Sequence, residues 1–507
     1  MRTLPEVNPK DDYNQTLLAN VHPPERVNPT PAPCYHLVVV GAGTAGLVTA
    51  AAAAGLGARV ALVERNLMGG DCLNVGCVPS KVLIRSSRIL GELQVADALG
   101  VRVPKGTKVE FGKVMERMRR IRSEISHHDS VLRYEKELGV DVFLGQGVFT
   151  GPDTLEVDRT TLRFNKAVIA TGARAAELPI EGLAEAGFLS NETVFSLTQR
   201  PPRLGVIGAG PIGCELAQAF QRLGSDVTLL EMGSHVLQRE DRDAAAVVQE
   251  AMFLDGVTLA LDARVMRVET SSEGKVIHYE AKGKPEQVVV DEILIGIGRA
   301  PNVEGLNLEA VGVRYDLRKG VQVNDRLRTT NRRIYAAGDV CMEKKFTHAA
   351  DAAAQIVVRN ALFFGRRKLS QLVIPWCTYT DPEIAHVGMY EDEAKARGIH
   401  VDTYVTPLSA VDRAKADGEE EGFAKIHVRK GSDKILGATI VARHAGEMIS
   451  EVTLAMVGGL GLSKVFEVIH PYPTQAMVIK ASAGAYLRSR LTPRVKRLFE
   501  LWFRLTG

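Results

Sequence analysis

The chain has 507 residues, which is too long for one ordinary domain and indicates three or four domains of roughly 150 residues each. Hydrophobic residues make up 45% and charged residues 24%, so the chain can bury sizeable cores and is neither disordered nor fibrous. The 63 Lys and Arg residues nearly balance the 60 Asp and Glu residues, which argues against a nucleic-acid partner. Six cysteines exclude a scaffold held by disulfides, so paired cysteines are expected to take part in chemistry.

The stretch from Leu37 to Ala58 is uncharged and rich in glycine and alanine. It is long enough to span a bilayer, which takes about 20 residues. Its five glycines and its low density of large aliphatic side chains argue against a membrane span, and the residues before it do not form a signal peptide. The stretch instead predicts a strand from Leu37 to Val40, a glycine loop, a helix, and a second strand from Arg59 to Glu64.

The loop in this stretch has the spacing of a dinucleotide-binding fold. It reads Gly41-Ala42-Gly43-Thr44-Ala45-Gly46. Gly41 permits a tight turn, Gly43 lets the backbone approach a pyrophosphate, and Gly46 lets the helix pack on the strand. The N-terminus of the helix offers N–H groups and the positive end of the helix dipole. Glu64, 21 positions after Gly43, is placed to hold a ribose hydroxyl.

A second copy of the unit is predicted, with strands at residues 204–207 and 226–231. Its loop reads Gly208-Ala209-Gly210-Pro211-Ile212-Gly213. From first glycine to terminal acid, here Glu231, both copies span 23 positions, and two such sites imply electrons passing between two carriers. The Glu231 carboxylate would repel the 2′-phosphate of NADP, so NADH is favoured as the cofactor. Arg239 lies further along and keeps NADPH as the alternative.

Two cysteines follow the first unit, in the segment Gly69-Gly70-Asp71-Cys72-Leu73-Asn74-Val75-Gly76-Cys77. On an ideal helix their Cα atoms would lie about 8–9 Å apart, beyond the roughly 7 Å limit for a disulfide. A bridge therefore requires a distorted segment, which Asn74 and Gly76 permit, and strain makes a disulfide easier to reduce. Without a secretion signal the chain is expected in the cytoplasm, where a bridge is more often catalytic than structural.

Two other interpretations of the cysteine pair are packing thiols and half of a zinc site. A zinc site would need two further ligands at similar spacing. The remaining cysteines form no second close pair, so no resident metal site is predicted. They are Cys34, Cys214, Cys341 and Cys377.

These motifs resemble those of the flavoprotein disulfide reductases, the class I pyridine nucleotide-disulfide oxidoreductases, which include dihydrolipoamide dehydrogenase, glutathione reductase and mercuric reductase. The resemblance extends from about residue 35 to residue 490. Besides the glycine loops and the cysteine segment, it rests on the segments at residues 170–172 (ATG), 296–302 (GIGRAPN), 334–339 (IYAAGD) and 380–383 (TDPE). It implies an α/β fold with two Rossmann-like dinucleotide-binding domains, for FAD and NAD, and a C-terminal α+β dimerisation domain.

The resemblance also implies domain boundaries. They are an N-terminal extension (1–34), a first FAD-binding part with the cysteines (35–185), an NAD(P)-binding domain (186–300), a second FAD-binding part (301–368), a dimerisation domain (369–490) and a basic amphipathic tail (491–507).

In that family, hydride passes from the nicotinamide to the flavin and then to the disulfide. The resemblance makes Cys77 the thiolate beside the flavin, Cys72 the thiol that meets the substrate, and Lys81 a cation beside the flavin that pairs with Glu215. Asp339 would hold the ribityl chain. The residues assigned to FAD are Gly41, Gly43, Ala45, Gly46, Glu64, Asp71, Cys72, Lys81, Gly147 (near the adenine), Thr171, Gly172, Gly338 and Asp339. Those assigned to NAD are Gly208, Gly210, Ile212, Gly213, Glu231 and Gly298.

One segment departs from the pattern of the family members that act on dithiols. Those members carry a His-Pro-Thr segment followed by Glu, in which the histidine is the general base and comes from the partner subunit. Here Tyr472 and Met477 stand at the two positions, and nearby His470 is expected to pack rather than act as a base. Tyrosine, with a reference pKa near 10, is a poor base at neutral pH.

The tyrosine resembles mercuric reductases, whose soft metal substrate needs thiolates rather than a base. Residues 345–351 (KFTHAAD) resemble the same subgroup, although the chain lacks that enzyme's C-terminal cysteine pair and N-terminal CxxC module. The leading interpretation is a homodimeric FAD enzyme that passes electrons from NADH through Cys72 and Cys77 to a soft metal ion or small disulfide. The alternatives are a dihydrolipoamide dehydrogenase-like activity and a slow flavin redox sensor or membrane-associated electron-transfer protein.

The tail of the chain, residues 491–507, has apolar residues at helical spacing opposite basic ones. We expect an amphipathic helix that either packs on the dimer or contacts a membrane surface or a partner.

Overall fold

The computed structural model describes residues 5–176 and 178–507. The helices are Asp12–Val21 (α1), Thr44–Gly55 (α2), Gly70–Asn74 (α3), Cys77–Val95 (α4), Phe111–Ser126 (α5), Val131–Lys136 (α6), Leu183–Ala186 (α7), Pro211–Arg222 (α8), Arg242–Leu254 (α9), Thr347–Leu362 (α10), Glu391–Ala396 (α11), Asp412–Asp417 (α12), Ala445–Val457 (α13), Leu462–Glu467 (α14), Met477–Ser489 (α15) and Pro493–Thr506 (α16).

The strands are Tyr35–Val40 (β1), Val60–Glu64 (β2), Asp141–Leu144 (β3), Gly147–Gly151 (β4), Thr154–Val157 (β5), Thr160–Ile169 (β6), Ala173–Ala175 (β7), Arg203–Ile207 (β8), Asp226–Leu230 (β9), Thr258–Ala260 (β10), Ala263–Ser271 (β11), Gly274–Ala281 (β12), Lys284–Val290 (β13), Glu292–Ile295 (β14), Arg299–Pro301 (β15), Tyr315–Asp316 (β16), Gly320–Val321 (β17), Ile334–Ala336 (β18), Trp376–Thr378 (β19), Glu383–Gly388 (β20), Val401–Pro407 (β21), Phe423–Arg429 (β22) and Ile435–Ala442 (β23).

The chain folds into two compact units. One contains the described residues up to 208 together with 219–230 and 264–372. The other contains residues 209–218, 231–263 and 373–507.

The largest sheet of the first unit has seven strands in the order β3-β2-β1-β6-β5-β4, with β18 also beside β6. The strands β3, β2, β1, β6 and β18 run parallel, whereas β5 pairs antiparallel with β6 on one side and with β4 on the other. Every residue of β2 is buried, which explains its continuous apolar sequence up to Glu64. Helix α10 packs on α2 against this sheet.

Two glycines explain how α2 follows β1 so closely. Gly41 has a φ of +102°, and a Cβ there would lie 2.4 Å from the carbonyl oxygen of Ala170. A Cβ on Gly46 would lie 1.7 Å from the carbonyl oxygen of Gly41. A larger residue at Gly46 would therefore push the helix away from the end of the strand, and one at Gly41 would collide with the chain just after β6.

A second parallel set in the first unit contains β9, β8 and β14, with β8 in the middle. Strand β9 ends at Leu230, so Glu231 follows the strand rather than closing it as predicted. The antiparallel strands β11, β12 and β13 form a separate sheet.

The second unit contains an antiparallel sheet in the order β19-β20-β23-β22-β21. Helices α13 and α15 pack on it, and the core beneath them includes Ile426, Ile440, Val452 and Ile479. Helix α16 exposes its apolar side chains, with Leu498, Trp502 and Leu505 all more than half exposed. Among the described helices, none is long and apolar enough to cross a membrane.

Candidate active site

The two predicted redox cysteines lie on two consecutive helices, Cys72 in the five-residue α3 and Cys77 at the start of the 19-residue α4. Helix α3 ends at Asn74 and α4 begins at Cys77, so Val75 and Gly76 interrupt what would otherwise be one helix. A Cβ on Gly76 would lie 2.7 Å from the carbonyl oxygen of Asp71, which shows how tightly the chain turns there. The distortion expected from the sequence is therefore found, and it brings the side chains of Cys72 and Cys77 within hydrogen-bond distance.

A threonine that the sequence analysis gave no role lies against both sulfurs. The hydroxyl of Thr347 is 3.3 Å from the sulfur of Cys77 and also forms a hydrogen bond with Cys72. Thr347 is the first residue of α10, which brings the N-terminus of a 16-residue helix to the cysteine pair. The N-terminus of a helix favours negative charge, so this placement suits a thiolate.

The pKa of the Cys72 thiol is raised above its usual range. The largest cause is its hydrogen bond with Cys77, followed by burial and by the negative charge of Asp129. The hydroxyl of Thr347 acts in the opposite direction and favours the thiolate. Burial likewise raises the pKa of Asp129 itself. A metal ion that coordinates Cys72 must therefore displace the proton of this thiol.

The first glycine loop and the start of the cysteine segment together form a cradle without side chains. The N–H of Gly69 donates to the carbonyl of Ala42 at 2.8 Å. Gly70 has a φ of +56°, and a Cβ there would lie 2.7 Å from the Cα of Gly43. Such a bare backbone surface at the start of α2 fits the pyrophosphate of a dinucleotide, which approaches helix N–H groups closely.

Glu64 is buried beside this loop. Its carboxylate accepts hydrogen bonds from the N–H of Ala42 at 2.6 Å and the N–H of Asn66 at 2.7 Å. Burial raises the pKa of Glu64, and these two N–H groups act against that rise. The carboxylate therefore spans the glycine loop and the chain after β2, where an adenosine ribose would lie in a dinucleotide-binding fold.

Two predicted FAD carboxylates share one arginine. The guanidinium of Arg299 forms a short ion pair with Asp71 and lies 3.5 Å, through its Nε, from Asp339. Burial of Asp339 raises its pKa, and the positive charge of Arg299 opposes that rise. Lys345 donates to the carbonyl of Arg299 at 2.9 Å. The arginine stands in the GIGRAPN segment, and its place beside two acids could not be read from that motif.

The remaining predicted FAD residues occupy loops around the same sheet. The hydroxyl of Thr171 donates to the carbonyl of Asn302 at 2.6 Å, and Gly172 has a φ of +68°. A Cβ on Gly338 would lie 3.1 Å from that of Ala45. Gly147 begins β4, where a Cβ would touch buried side chains. These contacts are all within the protein, so the cofactor roles assigned to these residues stay predictions.

The second glycine loop has the same carboxylate arrangement as the first. Gly208 has a φ of +101° and follows β8. The carboxylate of Glu231 accepts from the N–H of Ala209 and the N–H of Gly233, each at 2.8 Å. Arg239 is exposed. Of the other predicted NAD residues, Ile212 is on the surface and Gly298 has a φ of +54°.

The other three predicted catalytic residues are Lys81, one helical turn after Cys77, and Glu215 and Tyr472, which lie far from the cysteines along the chain. Lys81 is half-buried in α4, and Glu215 is buried in α8, where its carboxylate accepts from the N–H of Tyr379 at 2.9 Å. Their predicted pairing stays a prediction. Tyr472 is 69% exposed and donates to the carboxylate of Asp412 at 3.1 Å, which raises the pKa of the tyrosine.

His470 has a buried side chain that pairs with Glu451 at 3.0 Å, in keeping with a packing role. No group of three or more His, Cys, Asp or Glu side chains in residues 5–176 and 178–507 is arranged to hold a metal ion.

Comparisons with known proteins cover most of the chain. Residues 35–355 match the model of the pyridine nucleotide-disulphide oxidoreductases, and residues 374–483 match the dimerisation domain of that family. A mercuric reductase from Staphylococcus aureus is 34% identical over 89% of this chain and 82% of the relative. A dihydrolipoyl dehydrogenase from Thermus scotoductus is also 34% identical, over 89% of this chain and 97% of the relative.

Among solved structures, the HOCl-induced flavoprotein disulfide reductase RclA from Escherichia coli is similar to this chain. Its TM-score is 0.79 at 29% identity, covering 89% of this chain and 99% of that one. RclA has also been solved as a Cu(II) complex.

Proposed function

Because the chain belongs to the pyridine nucleotide-disulphide oxidoreductase family, we propose that it uses NADH to reduce a Cys72–Cys77 disulfide and passes the electrons to a soft metal ion or a small disulfide. The family is FAD-dependent and uses NAD(P)H, so the chain is a flavoprotein oxidoreductase. Its match to the dimerisation domain of the family supports a homodimer. The predicted fold class is confirmed by the family match and by the similar solved structures.

FAD, when bound, would accept hydride from the nicotinamide and supply electrons to the disulfide. The bare backbone at Gly43 and Gly70 and the buried Glu64 carboxylate fit its pyrophosphate and ribose. The domain boundaries and the cofactor residues named from the sequence are part of this proposal. So is the pairing of Lys81 with Glu215, in which the lysine would counter negative charge on the reduced cofactor.

The proton balance of the reaction favours a metal acceptor. Reduction of Hg(II) to the metal by NADH releases one proton, whereas reduction of a disulfide to two thiols takes one proton up. The raised pKa of exposed Tyr472 makes it a weak proton carrier near neutral pH. Two adjacent sulfurs, by contrast, are the ligands that a soft metal ion prefers. The observation that carries the proposal is therefore the pair of thiols of Cys72 and Cys77, hydrogen-bonded to each other, in a chain with tyrosine at the base position.

A second candidate is a dihydrolipoamide dehydrogenase-like activity, because a dihydrolipoyl dehydrogenase is as similar to this chain as the mercuric reductase is. Steady-state oxidation of NADH by the FAD-bound homodimer separates the two, with Hg(II), Cu(II) or lipoamide as acceptor. We expect metal-dependent turnover that Cys72→Ser and Cys77→Ser each abolish, slow lipoamide turnover, and faster lipoamide turnover in Tyr472→His. Rapid lipoamide turnover by the unmodified protein would contradict the metal proposal. No turnover with any acceptor would favour the redox-sensor interpretation.

NADH is the proposed electron donor because of Glu231. Its carboxylate is held beside the second glycine loop by Ala209 and Gly233, where it would repel a 2′-phosphate. We expect Glu231→Ala to lower kcat/KM for NADH about tenfold and to lower that for NADPH much less. Glu231→Gln keeps a hydrogen-bond acceptor and is the matched control. A preference for NADPH in the unmodified protein would reject this part of the proposal and point to Arg239.

A further inference from the structure

Residues 5–34 lie outside the residues matched by the family model and fold against the first unit. Helix α1 packs on α5, and the chain after it runs along β3. There the side-chain amide of Asn28 accepts from the N–H of Leu144 and donates to its carbonyl, both at 2.9 Å. We call residues 5–34 the extension and residues 66–77 the redox-cysteine segment.

The extension is tied directly to the beginning of the redox-cysteine segment. The carbonyl of Val21 accepts from the N–H of Met68 at 3.2 Å. The ring of His22, which is 1% exposed, forms a short hydrogen bond with the carbonyl of Asn66. Both contacts fall where the chain leaves β2 and turns toward Cys72, so the end of α1 fixes the entrance to the segment.

A second tie reaches the turn between the two cysteines through a buried arginine. Arg122, on α5, donates through Nη2 to the side-chain oxygen of Asn14 and through Nη1 to the carbonyl of Asn74, each at 2.7 Å. Arg122 is 4% exposed and Asn14 is 1% exposed. Asn14 in turn is held by its N–H to Asp11 and by its amide to the carbonyl of Pro9. One guanidinium therefore bridges the extension and the turn that separates the sulfurs.

Burial destabilises the charged form of Arg122, so stability alone does not explain its position. Burial lowers its pKa to about 10. Its Nε has no hydrogen-bond partner among the described residues, and both of its bonded acceptors are uncharged amide oxygens. A buried cation without a bonded carboxylate stabilises a fold poorly. What Arg122 does accomplish is to hold the last carbonyl of α3, at the point where the helix must end for Cys72 and Cys77 to meet.

We propose that the extension is a brace for the redox-cysteine segment and that Arg122 is the positioning residue through which Asn14 holds the turn at Asn74. The brace limits the separation of the two sulfurs in the reduced state and so favours closure of the disulfide. This role rests on the proposed redox function of the cysteine pair. The geometric part of the inference, that the extension orders the segment, can be tested without it.

The test uses the full-length, FAD-bound protein and compares Asn14→Leu with Arg26→Leu. Arg26 is the matched control because it also ties the extension to the rest of the first unit, by donating to the carbonyl of Val142 on β3 at 2.8 Å, and none of its hydrogen bonds among the described residues reaches the redox-cysteine segment. Amide hydrogen exchange of residues 70–80 is expected to be about tenfold faster in Asn14→Leu, because loss of a hydrogen bond to a charged group has at least that effect on a local opening equilibrium. Arg26→Leu is expected to leave that exchange unchanged.

Equal exchange in Asn14→Leu and the unmodified protein would overturn the brace, and so would an equal increase in both variants. If Asn14→Leu fails to fold, Asn14→Asp and Arg122→Lys replace it. The aspartate keeps an acceptor for Arg122 and should preserve exchange protection, whereas the lysine cannot reach both acceptors and should lose it. The reverse pattern in these two variants would likewise overturn the proposal.

A second measurement addresses the cysteines. In dithiol buffers of graded potential, mass spectrometry of the alkylated protein reports the fraction of Cys72–Cys77 disulfide. We expect Asn14→Leu to shift the equilibrium toward the dithiol by about threefold to tenfold and Arg26→Leu not to shift it. Faster exchange with an unshifted equilibrium would keep the brace and reject its redox role. A protein that never forms the disulfide would instead reject the proposed function while the exchange result stands.

Discussion

Replacing Thr347 with valine removes a hydroxyl that lies within hydrogen-bond distance of both redox sulfurs while keeping the branched shape of the side chain. The hydroxyl lowers the pKa of the Cys72 thiol, against the larger effects of Cys77 and burial. The variant should therefore have a still higher Cys72 pKa and a smaller thiolate fraction at any pH below it.

The size of the effect follows from the strength of the lost interaction. A hydrogen bond to a charged group contributes about 1.5–3 kcal/mol, and the half-buried position of Thr347 places it at the lower end. Since 1.36 kcal/mol corresponds to one pKa unit, the pKa of Cys72 should rise by about one unit. Only the thiolate reacts with an alkylating reagent, so the reaction should slow about tenfold at every pH below the midpoint.

The assay is alkylation of the reduced, FAD-bound protein by iodoacetamide between pH 6 and about pH 10, with peptide mass spectrometry to separate Cys72 from Cys77. Thr347→Ser keeps the hydroxyl and should behave as the unmodified protein does. An unchanged rate in Thr347→Val, or an equal loss of rate in Thr347→Ser, would refute the assigned hydrogen bonds.

Two further predictions concern the second unit. Glu240 is half-buried and accepts from the indole N–H of Trp376 at 2.9 Å and the hydroxyl of Tyr390 at 2.5 Å, and the desolvation of its carboxyl raises its pKa. A carboxyl whose folded pKa is raised stabilises the fold fully below the unfolded value and loses that contribution as the pH rises through the folded value. As the pH rises from 4 to about 8, the unfolding free energy of Glu240→Gln, measured by urea titration, should therefore fall less than that of the unmodified protein. Equal pH dependence of the unfolding free energy in the two proteins would disprove this prediction. If the tail contacts a membrane rather than packing on the dimer, deletion of residues 491–507 should abolish cosedimentation with vesicles of anionic phospholipid, and equal binding by the truncated protein would leave packing on the dimer or contact with a partner.

Local spacing made the cysteine segment predictable. A five-residue separation is too wide for a disulfide on a regular helix, so the break at Val75 and Gly76 followed from helix geometry and from the presence of a glycine. The paired glycine loops were predictable for a similar reason. A tight turn between a strand and a helix restricts residue type at fixed offsets, as the φ of +102° at Gly41 and of +101° at Gly208 illustrate.

The partners of those local features were not predictable. Thr347 is 270 positions from Cys77, and it meets the sulfurs only because α10 packs on α2 with its N-terminus toward the cysteine segment. Arg299 is 228 positions from Asp71. Both residues stand in segments that carry the family resemblance, GIGRAPN and KFTHAAD, but a segment does not tell which distant side chains its members contact.

By itself, the sequence determined the features that depend on spacing along the chain. These are the two glycine loops, the acids Glu64 and Glu231 at or next to the ends of their second strands, and the position of the cysteine pair, because turn and helix geometry act over a few residues. The tertiary structure alone decided which distant groups surround the sulfurs. The bridge of Arg122 between Asn14 and Asn74 exists because α1 and α5 pack together, and packing of side chains that are distant in sequence is not encoded in any local pattern.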